Sequence, residues 1–487
     1  MKPILSEKYR PQFHFSPKEK WMNDPNGMVY FKGEYHLFYQ YHPYSTVWGP
    51  MHWGHAVSRD LIHWEHLPIA LYPGEHGAIF SGSAVVDWDN STGFFDDEPG
   101  LVAVYTSHDT YPGTDRARQR QCLAYSSDNG RSWTKYSGNP VLADESKTDY
   151  RDPKVFWHMD TQRWIMILAT GQSATIYKSE NLIDWQFASE FAEGSHAGFW
   201  ECPDLFPLPS GEGKEKWVML VSLGDTGDYS EGSRTQYFIG EFDGETFVND
   251  REKDGVLWLD HGRDNYAGVS FSDLPDRRIY MGWMSNWRYA NQVPTGEWRG
   301  AMTFPRELSL SAGRDGLHLI QKPVPEIQDL RKAGETCHHL FVSAEKHAVI
   351  PLKGTLMELN LEAEFEGDAG LELMILHSEA DRTIISYDPQ SEILSADRTH
   401  SGESDFSASF PAVQEAPLKM KNHCIRLQLL LDSSSIEIFG NDGECAITGL
   451  IFPQPEESVL QVASNGGTVH VKSLELHELS SIWKRKE

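Results

Sequence analysis

Short apolar stretches alternate with polar, turn-forming residues along most of this chain, and helical periodicity is rare. Within residues 1–320, a polar residue followed by an apolar run recurs five times. The five stretches are NDPNGMVY (23–30), FSGSAVV (80–86), RDPKVFW (151–157), ECPDLFPL (201–208) and YAGVSFS (266–272). Each has the length and composition of a buried strand, so the pattern predicts five repeated units of about 60 residues.

A second recurring element is a turn that ends in an aromatic residue. It occurs four times, and its final residues are Trp64, Trp133, Trp185 and Phe247. Units of three or four strands at this spacing favour radial repetition, in which sheets surround an axis and expose few edges. A solenoid needs a shorter and more regular period, and a parallel α/β fold needs helices between its strands. We therefore predict a five-bladed β-propeller over residues 1–321.

The pattern changes near residue 320. The segment QKPVPEIQDLRKAGE (321–335) contains two prolines and a short amphipathic stretch, which predicts a linker over 322–335 with one or two helical turns. Strands of alternating polarity and Asp- or Asn-containing turns follow, for example at 427–443 and 467–479. This pattern predicts a β-sandwich over 336–487, so the predicted fold class is all-β.

Charge and composition narrow the classes of partner. The chain has 71 acidic and 43 basic residues and a formal net charge of −28, which disfavours nucleic acid and anionic membranes as partners. It has no apolar run long enough for a transmembrane helix. Its N-terminus has no apolar segment typical of a secretory signal, which predicts a cytoplasmic protein, or a secreted one if a signal segment was removed. We expect a monomer or a homodimer.

Three of the five repeated units begin with a carboxylate. Asp24, Asp152 and Glu201 hold equivalent places, while Ser81 and Tyr266 hold these places in the other two units. Each acid alone has a structural interpretation, since Asp-Pro and Asn-Gly are common in turns. However, the first strand of every blade lines the central channel of a propeller, so equivalent positions converge at one mouth. The repetition therefore predicts a cluster of three carboxylates.

Carboxylates that converge among many aromatic residues indicate glycoside hydrolysis. One carboxyl group protonates the leaving oxygen, and another attacks the anomeric carbon or activates water. A calcium site is the alternative, because carboxylates also form oxygen cages, but no EF-hand-like spacing supports it. The five cysteines have no metal-ligand spacing, and there is no serine-nucleophile or phosphate-binding motif. We expect no metal and no cofactor.

The chain resembles glycoside hydrolase family 32, the invertase, inulinase and levanase group, across nearly its full length. The matching motifs are WMNDPNG (21–27), FYQYHP (38–43), WGPMHWGHAVS (48–58), FSGSAVV (80–86), RDP (151–153) and WECPDLF (200–206). The resemblance implies a five-bladed propeller followed by a β-sandwich, and retaining hydrolysis of terminal β-fructofuranosides. The motifs are most similar to those of the bacterial levanase and exo-inulinase branch, which implies fructans, fructo-oligosaccharides and sucrose as substrates.

The resemblance also implies roles for residues at the matching positions. Asp24 corresponds to the nucleophile, Glu201 to the acid/base, and Asp152 to a transition-state stabiliser that holds fructosyl hydroxyls. The implied substrate-binding residues at hydroxyl groups are Asn23, Gln40 and Ser81, and Arg151 either binds a hydroxyl or orients Asp152. Trp48 and Phe80 are implied to form an apolar wall, and Tyr266 and Trp287 to close the far side of the pocket.

Some of these residues have a second interpretation. Trp48 and Trp287 are also consistent with core packing. Cys202 adjoins the acid, and either tunes its acidity or is simply a small buried residue. His52 and His55, which lie in one of the matching motifs, are interpreted as structural.

Three other functions are compatible with the same motifs. A cytoplasmic sucrose-6-phosphate hydrolase is the main alternative, and it would need Lys or Arg beside the leaving group to bind the phosphate. A non-catalytic fructan-binding protein is disfavoured, because all three carboxylates are present. Transfer of the fructosyl unit to another sugar instead of water is the third.

Overall fold

The computed structural model describes residues 5–96, 98–211, 213–253, 255–313, 316–378, 380–454 and 458–483. Within these ranges the chain forms seven sheets, of which five lie in the N-terminal part and two in the C-terminal part. No helix in the same ranges is long and apolar enough to cross a membrane. The prediction of an all-β fold is confirmed.

Each of the five N-terminal sheets is an antiparallel meander. The first contains β1 (Lys20–Phe31), β2 (Glu34–His42), β3 (His52–Ser58) and β4 (Trp64–Leu71). The second contains β5 (Ala78–Asp87), β6 (Gly100–Thr110), β7 (Ala117–Ser126), β8 (Thr134–Lys135) and β9 (Leu142–Ala143). The third contains β10 (Arg151–His158), β11 (Arg163–Ala169), β12 (Ala174–Ser179) and β13 (Trp185–Phe191).

The other two N-terminal sheets follow the same plan. The fourth contains β14 (Trp200–Gly211), β15 (Lys214–Leu223), β16 (Arg234–Phe242), β17 (Phe247–Asn249) and β18 (Leu257–Trp258). The fifth begins with β19 (Tyr266–Ser270) and β20 (Ile279–Trp283). The next strand, β21 (Trp298–Arg299), leaves this sheet and pairs in parallel with β1. The fifth sheet is completed by β22 (Arg306–Gly313) and β23 (Gly316–Pro323).

The first strands of these sheets surround a common axis. Strands β1, β5, β10, β14 and β19 contact one another in that order, and β19 returns to contact β1. All five stretches predicted as unit starts begin on these innermost strands. Every described residue of β3, β19 and β20 is buried, because adjacent sheets cover both faces of these strands. A closed ring of radially arranged sheets is a β-propeller.

The C-terminal part begins with ordered structure in the predicted linker. A 3₁₀ helix, Pro325–Leu330, follows β23, and β24 (Arg331–Val342) begins directly after it. The remaining strands are β25 (Ala348–Pro351), β26 (Met357–Phe365), β27 (Gly370–Leu376), β28 (Arg382–Asp388), β29 (Ile393–Asp397), β30 (Val413–Pro417), β31 (Cys424–Asp432), β32 (Ser435–Gly440), β33 (Cys445–Leu450), β34 (Val459–Asn465) and β35 (Val469–Leu479).

Two six-stranded sheets pack face to face in this part. Their orders are β24-β35-β26-β31-β32-β33 and β25-β34-β27-β28-β29-β30. Strands β27 and β28 bury alternate residues, as expected where one sheet face packs on the other sheet and the opposite face meets solvent. Their inward side chains form one core, which is the arrangement of a β-sandwich.

Buried ion pairs join the propeller to the sandwich. Arg306 of β22 donates to Asp260 at 2.9 Å and also to Glu437 of β32. Arg398, which follows β29, donates to Asp264 at 2.5 Å. All five side chains are at most 2% exposed, so each buried charge depends on its partner. The pairs Arg306–Glu437 and Arg398–Asp264 cross the interface, whereas Asp260 lies in the propeller with Arg306. These contacts hold the sandwich against one side of the propeller.

A buried histidine belongs to the same interface. The ring nitrogens of His14 lie 2.8 Å from Asp432 Oδ2 and 2.7 Å from Glu437 Oε1. Burial alone would lower the pKa of His14, but the two carboxylates outweigh it and raise the pKa to about 9. Because the folded-state pKa exceeds the unfolded value of about 6.5, this contribution to stability is complete below pH 6.5 and is lost as the pH rises through about 9.

We therefore predict that His14→Gln removes this pH dependence. In the parent protein the free energy of unfolding should fall by about 3 kcal/mol between pH 6.5 and 9 from this group, and urea unfolding of the variant should lack that slope. His63→Gln is the matched control, because His63 also contacts a carboxylate, Asp60, but is exposed. An unchanged slope in His14→Gln would contradict the assignment.

Candidate active site

All five innermost strands are irregular at the same end. The regular pairing with the second strand of each sheet is interrupted by a β-bulge or similar register shift. The interruptions lie between Met22 and Pro25, Ile79 and Gly82, Arg151 and Lys154, Glu201 and Asp204, and Tyr266 and Val269. A bulge bends its strand and re-aims side chains, and bulges are common beside active sites. The repeat thus presents five strand starts at one mouth of the central channel.

Three of these bulges contain a residue in the left-handed backbone region. The φ angles are 62° at Asp152, 45° at Cys202 and 54° at Ala267. This conformation is uncommon for residues other than glycine and concentrates at functional sites. Its recurrence in three successive sheets shows that the repeat extends to backbone conformation, although the side chains differ.

The residues that precede these three positions meet across the sheets. Arg151 Nη2 donates to Glu201 Oε1 at 3.4 Å, and the Tyr266 hydroxyl donates to Glu201 Oε2. The third, fourth and fifth sheets are therefore joined through Glu201 at the mouth of the channel.

A cavity of about 230 Å³ opens at this mouth. Its lining residues are Asn23, Asp24, Gln40, Trp48, Phe80, Ser81, Arg151, Asp152, Phe199, Glu201, Asp225 and Trp287. All the site residues predicted from the sequence lie here except Tyr266, which lies behind Glu201. The volume is below the 300–1,000 Å³ typical of pockets for drug-sized ligands, so the cavity suits one sugar ring.

A larger cavity, of about 880 Å³, opens at the opposite ends of the innermost strands. Its wall includes Tyr30, Val86 and His158. No predicted site residue lines it, and the three converging acids belong to the smaller cavity. We therefore take the smaller cavity as the candidate active site.

Asp24 accepts hydrogen bonds from three neighbours. Ser81 Oγ lies 2.7 Å from Asp24 Oδ2, Asn23 Nδ2 lies 3.0 Å from Oδ1, and the Cys202 thiol lies 3.5 Å from Oδ2. Burial raises the pKa of Asp24 above its usual value, and the three donors partly oppose this shift. The three donors orient the Asp24 carboxyl group and favour its ionised form.

Asp152 is buried beside Asp24 and shares a neighbour with it. Its Oδ2 accepts the backbone N–H of Cys202 at 3.0 Å and lies 3.6 Å from the Cys202 Sγ. Burial raises the pKa of Asp152, Arg151 opposes the shift, and Glu201 and Asp24 reinforce it. Burial and these carboxylates also raise the pKa of the Cys202 thiol, so it stays protonated. The Cys202 thiol therefore lies against Asp24 and Asp152, the two acids that flank it.

Glu201 differs from Asp24 in its surroundings. Burial raises the pKa of Glu201, the Arg151 guanidinium opposes this shift, and the negative charge of Asp24 reinforces it. The Tyr266 hydroxyl also lowers the pKa of Glu201. Burial and the negative charges of neighbouring carboxylates therefore oppose ionisation in this cavity, and the pKa of Asp152 is raised to about 7.

Aromatic rings form the walls of the cavity. Trp48 is 45% exposed and lies edge-on to Phe80, with ring centroids 6.2 Å apart. Trp287 is partly buried, stacks on Trp21 at 6.1 Å and contacts Trp283 at 4.8 Å. Trp48 is therefore not a core residue, whereas Trp287 both packs against the core and faces the cavity.

Polar residues on the same walls are held in fixed orientations. Trp21 Nε1 donates to Asn23 Oδ1 at 2.7 Å, and Gln40 Nε2 donates to the carbonyl of Ile79 at 3.1 Å. Their orientations are thus set by the protein before any ligand binds. Arg151 also donates to Asp149 at 2.5 Å.

Two residues of the cavity were missed from the sequence. Phe199 is 39% exposed, and its ring lies 5.3 Å from the Arg151 guanidinium. Asp225 accepts two hydrogen bonds from Arg288, at 3.0 and 3.1 Å. Phe199 directly precedes the motif WECPDLF, and this position beside the motif that contains Glu201 could have indicated it from the sequence. Asp225 follows β15 in a turn with no counterpart in the repeat, so no pattern indicated it.

The comparisons with known proteins agree with this arrangement. Residues 14–323 match the family description "Glycosyl hydrolases family 32 N-terminal domain", and residues 326–478 match "Glycosyl hydrolases family 32 C terminal". The chain is 49% identical to the levanase of Bacillus subtilis strain 168, over 98% of this chain and 71% of that protein.

Solved structures give the same result. The exo-inulinase of Aspergillus awamori superposes with a TM-score of 0.91 at 35% identity, over 98% of this chain and 100% of that one. The β-fructofuranosidase of Schwanniomyces occidentalis, complexed with fructosyl-erythritol, gives 0.89 at 32% identity, over 98% and 99%. The resemblance found in the sequence motifs is thereby confirmed. This chain belongs to glycoside hydrolase family 32.

Proposed function

We propose that this protein is a retaining glycoside hydrolase that releases terminal β-D-fructofuranosyl units from fructans, fructo-oligosaccharides and sucrose. The observation that carries the proposal is the meeting of Asp24, Asp152 and Glu201, from three sheets, in one cavity that suits a single sugar ring. A levanase, an exo-inulinase and a β-fructofuranosidase among the similar proteins support fructosides as substrates.

The same proposal includes the domain organisation. We assign the five N-terminal sheets as the five blades of the propeller, over residues 1–321, with a linker at 322–335 and a β-sandwich at 336–487. The closed contact order of the innermost strands supports five blades. The sandwich lines no part of the cavity among the described residues, so we assign it a structural role.

Catalysis would proceed in two displacements. The Asp24 carboxylate attacks the anomeric carbon while Glu201 gives its proton to the glycosidic oxygen, and the bond to the leaving sugar breaks. Glu201, now a carboxylate, then takes a proton from water, whose oxygen attacks the anomeric carbon and releases Asp24. Two inversions retain the configuration.

The other residues of the cavity would hold the fructosyl unit. Asp152 accepts hydrogen bonds from fructosyl hydroxyls, and its charge stabilises the oxocarbenium-like transition state. Asn23, Gln40, Ser81 and Arg151 bind further hydroxyls, while Trp48, Phe80 and Trp287 enclose the apolar faces of the ring. Tyr266 acts through Glu201 and is a positioning residue rather than a wall.

The charges at the cavity favour a neutral leaving group over a phosphorylated one. Arg151 is the single cation among the lining residues, and Asp149 and Glu201 already engage it. Arg288 at the rim is paired with Asp225. A sugar phosphate would therefore meet carboxylates, and no free cation of the described lining would bind it.

Substrate comparison tests the proposal. Initial rates on sucrose, sucrose 6-phosphate, inulin and levan should give fructose as the first product, with higher kcat/KM on sucrose than on its 6-phosphate. A preference for sucrose 6-phosphate, or no release of fructose from any of the four, would overturn it.

The Tyr266 hydroxyl provides a test of the acid assignment. Its hydrogen bond lowers the pKa of Glu201, so Tyr266→Phe should raise that pKa. Because Glu201 must be protonated at the start, the alkaline limb of the kcat/KM profile on sucrose should move to higher pH. Tyr280→Phe is the control, since the Tyr280 hydroxyl is also buried but bonds Asn265. A shift in both variants, or a shift to lower pH in Tyr266→Phe, would contradict the assignment.

A further inference from the structure

Exposed aromatic residues occur in the loop between β2 and β3, which supplies one wall of the cavity, and directly after the neighbouring strand β4. Trp48 lines the cavity and is 45% exposed, Tyr44 in the same loop is 73% exposed, and Tyr72 at the end of β4 is 53% exposed. Large apolar side chains grouped on a surface commonly mark a binding site. We call Tyr44, Trp48 and Tyr72 the aromatic row.

A buried histidine fixes two members of the row. The His52 ring is 3% exposed and lies edge-on between Tyr44 and Tyr72, with centroid distances of 5.7 and 5.6 Å. His52 Nδ1 is in turn fixed by the carbonyl of Pro50 at 3.1 Å. Both tyrosine rings are therefore supported on one side and open to solvent on the other. Rings held in place beforehand lose little conformational entropy on binding.

We propose that the aromatic row binds the fructosyl units of a fructan chain that lie outside the catalytic cavity. The inference rests on the proposed function and adds a site for the polymer to it. The cavity suits one sugar ring, so the rest of a fructan must lie on the surface that adjoins it. Trp48 belongs to both the row and the cavity lining, and Tyr44 lies in the same loop. The members of the row are uncharged, which suits a neutral chain with apolar C–H faces.

Kinetics on substrates of different length test the proposal. Tyr44→Ala and Tyr72→Ala should each lower kcat/KM on long levan or inulin by about 2–10-fold, mainly through KM, because each loses one stacking surface. On sucrose, which has only one sugar unit beyond the fructosyl ring in the cavity, the change should be smaller than about 2-fold. Tyr44→Phe and Tyr72→Phe keep the rings and should retain the parent values.

Phe187→Ala is the matched control. Phe187 is 61% exposed but lies on β13 of the third sheet, outside the row. An equal loss on sucrose and on fructans would show damage to the cavity and would overturn the proposal, as would unchanged kcat/KM on long fructans. A change of molecular mass in solution would instead identify the row as a contact between copies of the chain. If the parent protein hydrolysed no fructoside, the proposed function would fail first.

A binding measurement in an inactive variant tests the aromatic row independently of catalysis. In an Asp24→Asn background, long levan in native gels should retard the protein, and adding Tyr44→Ala and Tyr72→Ala should reduce that retardation by several fold. Equal retardation with and without the two changes would contradict a polymer site here.

Discussion

Asp24→Asn should lower kcat on sucrose by about 10⁴-fold or more, with the fold unchanged. The amide nitrogen cannot form the bond to the anomeric carbon, and the change also removes the negative charge that faces the transition state. The contacts of Asp24 come from Ser81, Asn23 and Cys202, which can still surround an amide of the same shape. Steady-state kinetics on sucrose would measure the loss of kcat, and thermal unfolding would show whether the fold is unchanged.

Asp225→Asn is the matched control for this change. Asp225 lines the same cavity, where it is paired with Arg288, and we assign it no role in bond cleavage. Since a partly exposed ion pair contributes at most about 1 kcal/mol, the loss of kcat should stay below about 10-fold. Comparable losses in the two variants would remove Asp24 from its role as nucleophile.

The second large effect is expected from Glu201→Gln. The general acid and base of both steps is lost, so kcat on sucrose should fall by about 10²–10⁴-fold. The loss of kcat should be smaller on an aryl fructoside than on sucrose, because an aryl oxide leaving group departs without being protonated. Added azide should accelerate the second step and give fructosyl azide, since it attacks without base assistance.

Asp152→Asn separates this behaviour from a general loss of activity. Asp152 lies in the same cavity and its pKa is also raised, but we assign it to the fructosyl hydroxyls and not to the leaving group. Asp152→Asn should therefore lose kcat to a similar extent on sucrose and on an aryl fructoside, and azide should not restore activity. Leaving-group dependence in Asp152→Asn and its absence in Glu201→Gln would reverse the two assignments.

Much of the fold could be predicted because the sequences of the innermost strands show the repeat directly. A strand buried on both faces must be apolar, and each unit supplies one, so the five starts at residues 23, 80, 151, 201 and 266 were visible as a pattern. The convergence of the acids followed from their equivalent places in that pattern.

The remaining features depend on contacts between units and had no local signal. The left-handed backbone at Asp152 and Cys202 arises from bulges that only the paired strands impose. The placement of Tyr266 behind Glu201 depends on how the fourth and fifth sheets approach each other. Likewise, His14 meets Asp432 more than 400 residues later in the chain, and no periodicity connects the two.

In the proposed mechanism, acids from three sheets act on one fructosyl ring. A crystal structure of Glu201→Gln with sucrose bound tests it most directly. We expect the anomeric carbon about 3–3.5 Å from an Asp24 carboxylate oxygen, the glycosidic oxygen within hydrogen-bond distance of residue 201, and Asp152 hydrogen-bonded to fructosyl hydroxyls. A fructosyl ring bound elsewhere, or one that Asp24 does not reach, would contradict it.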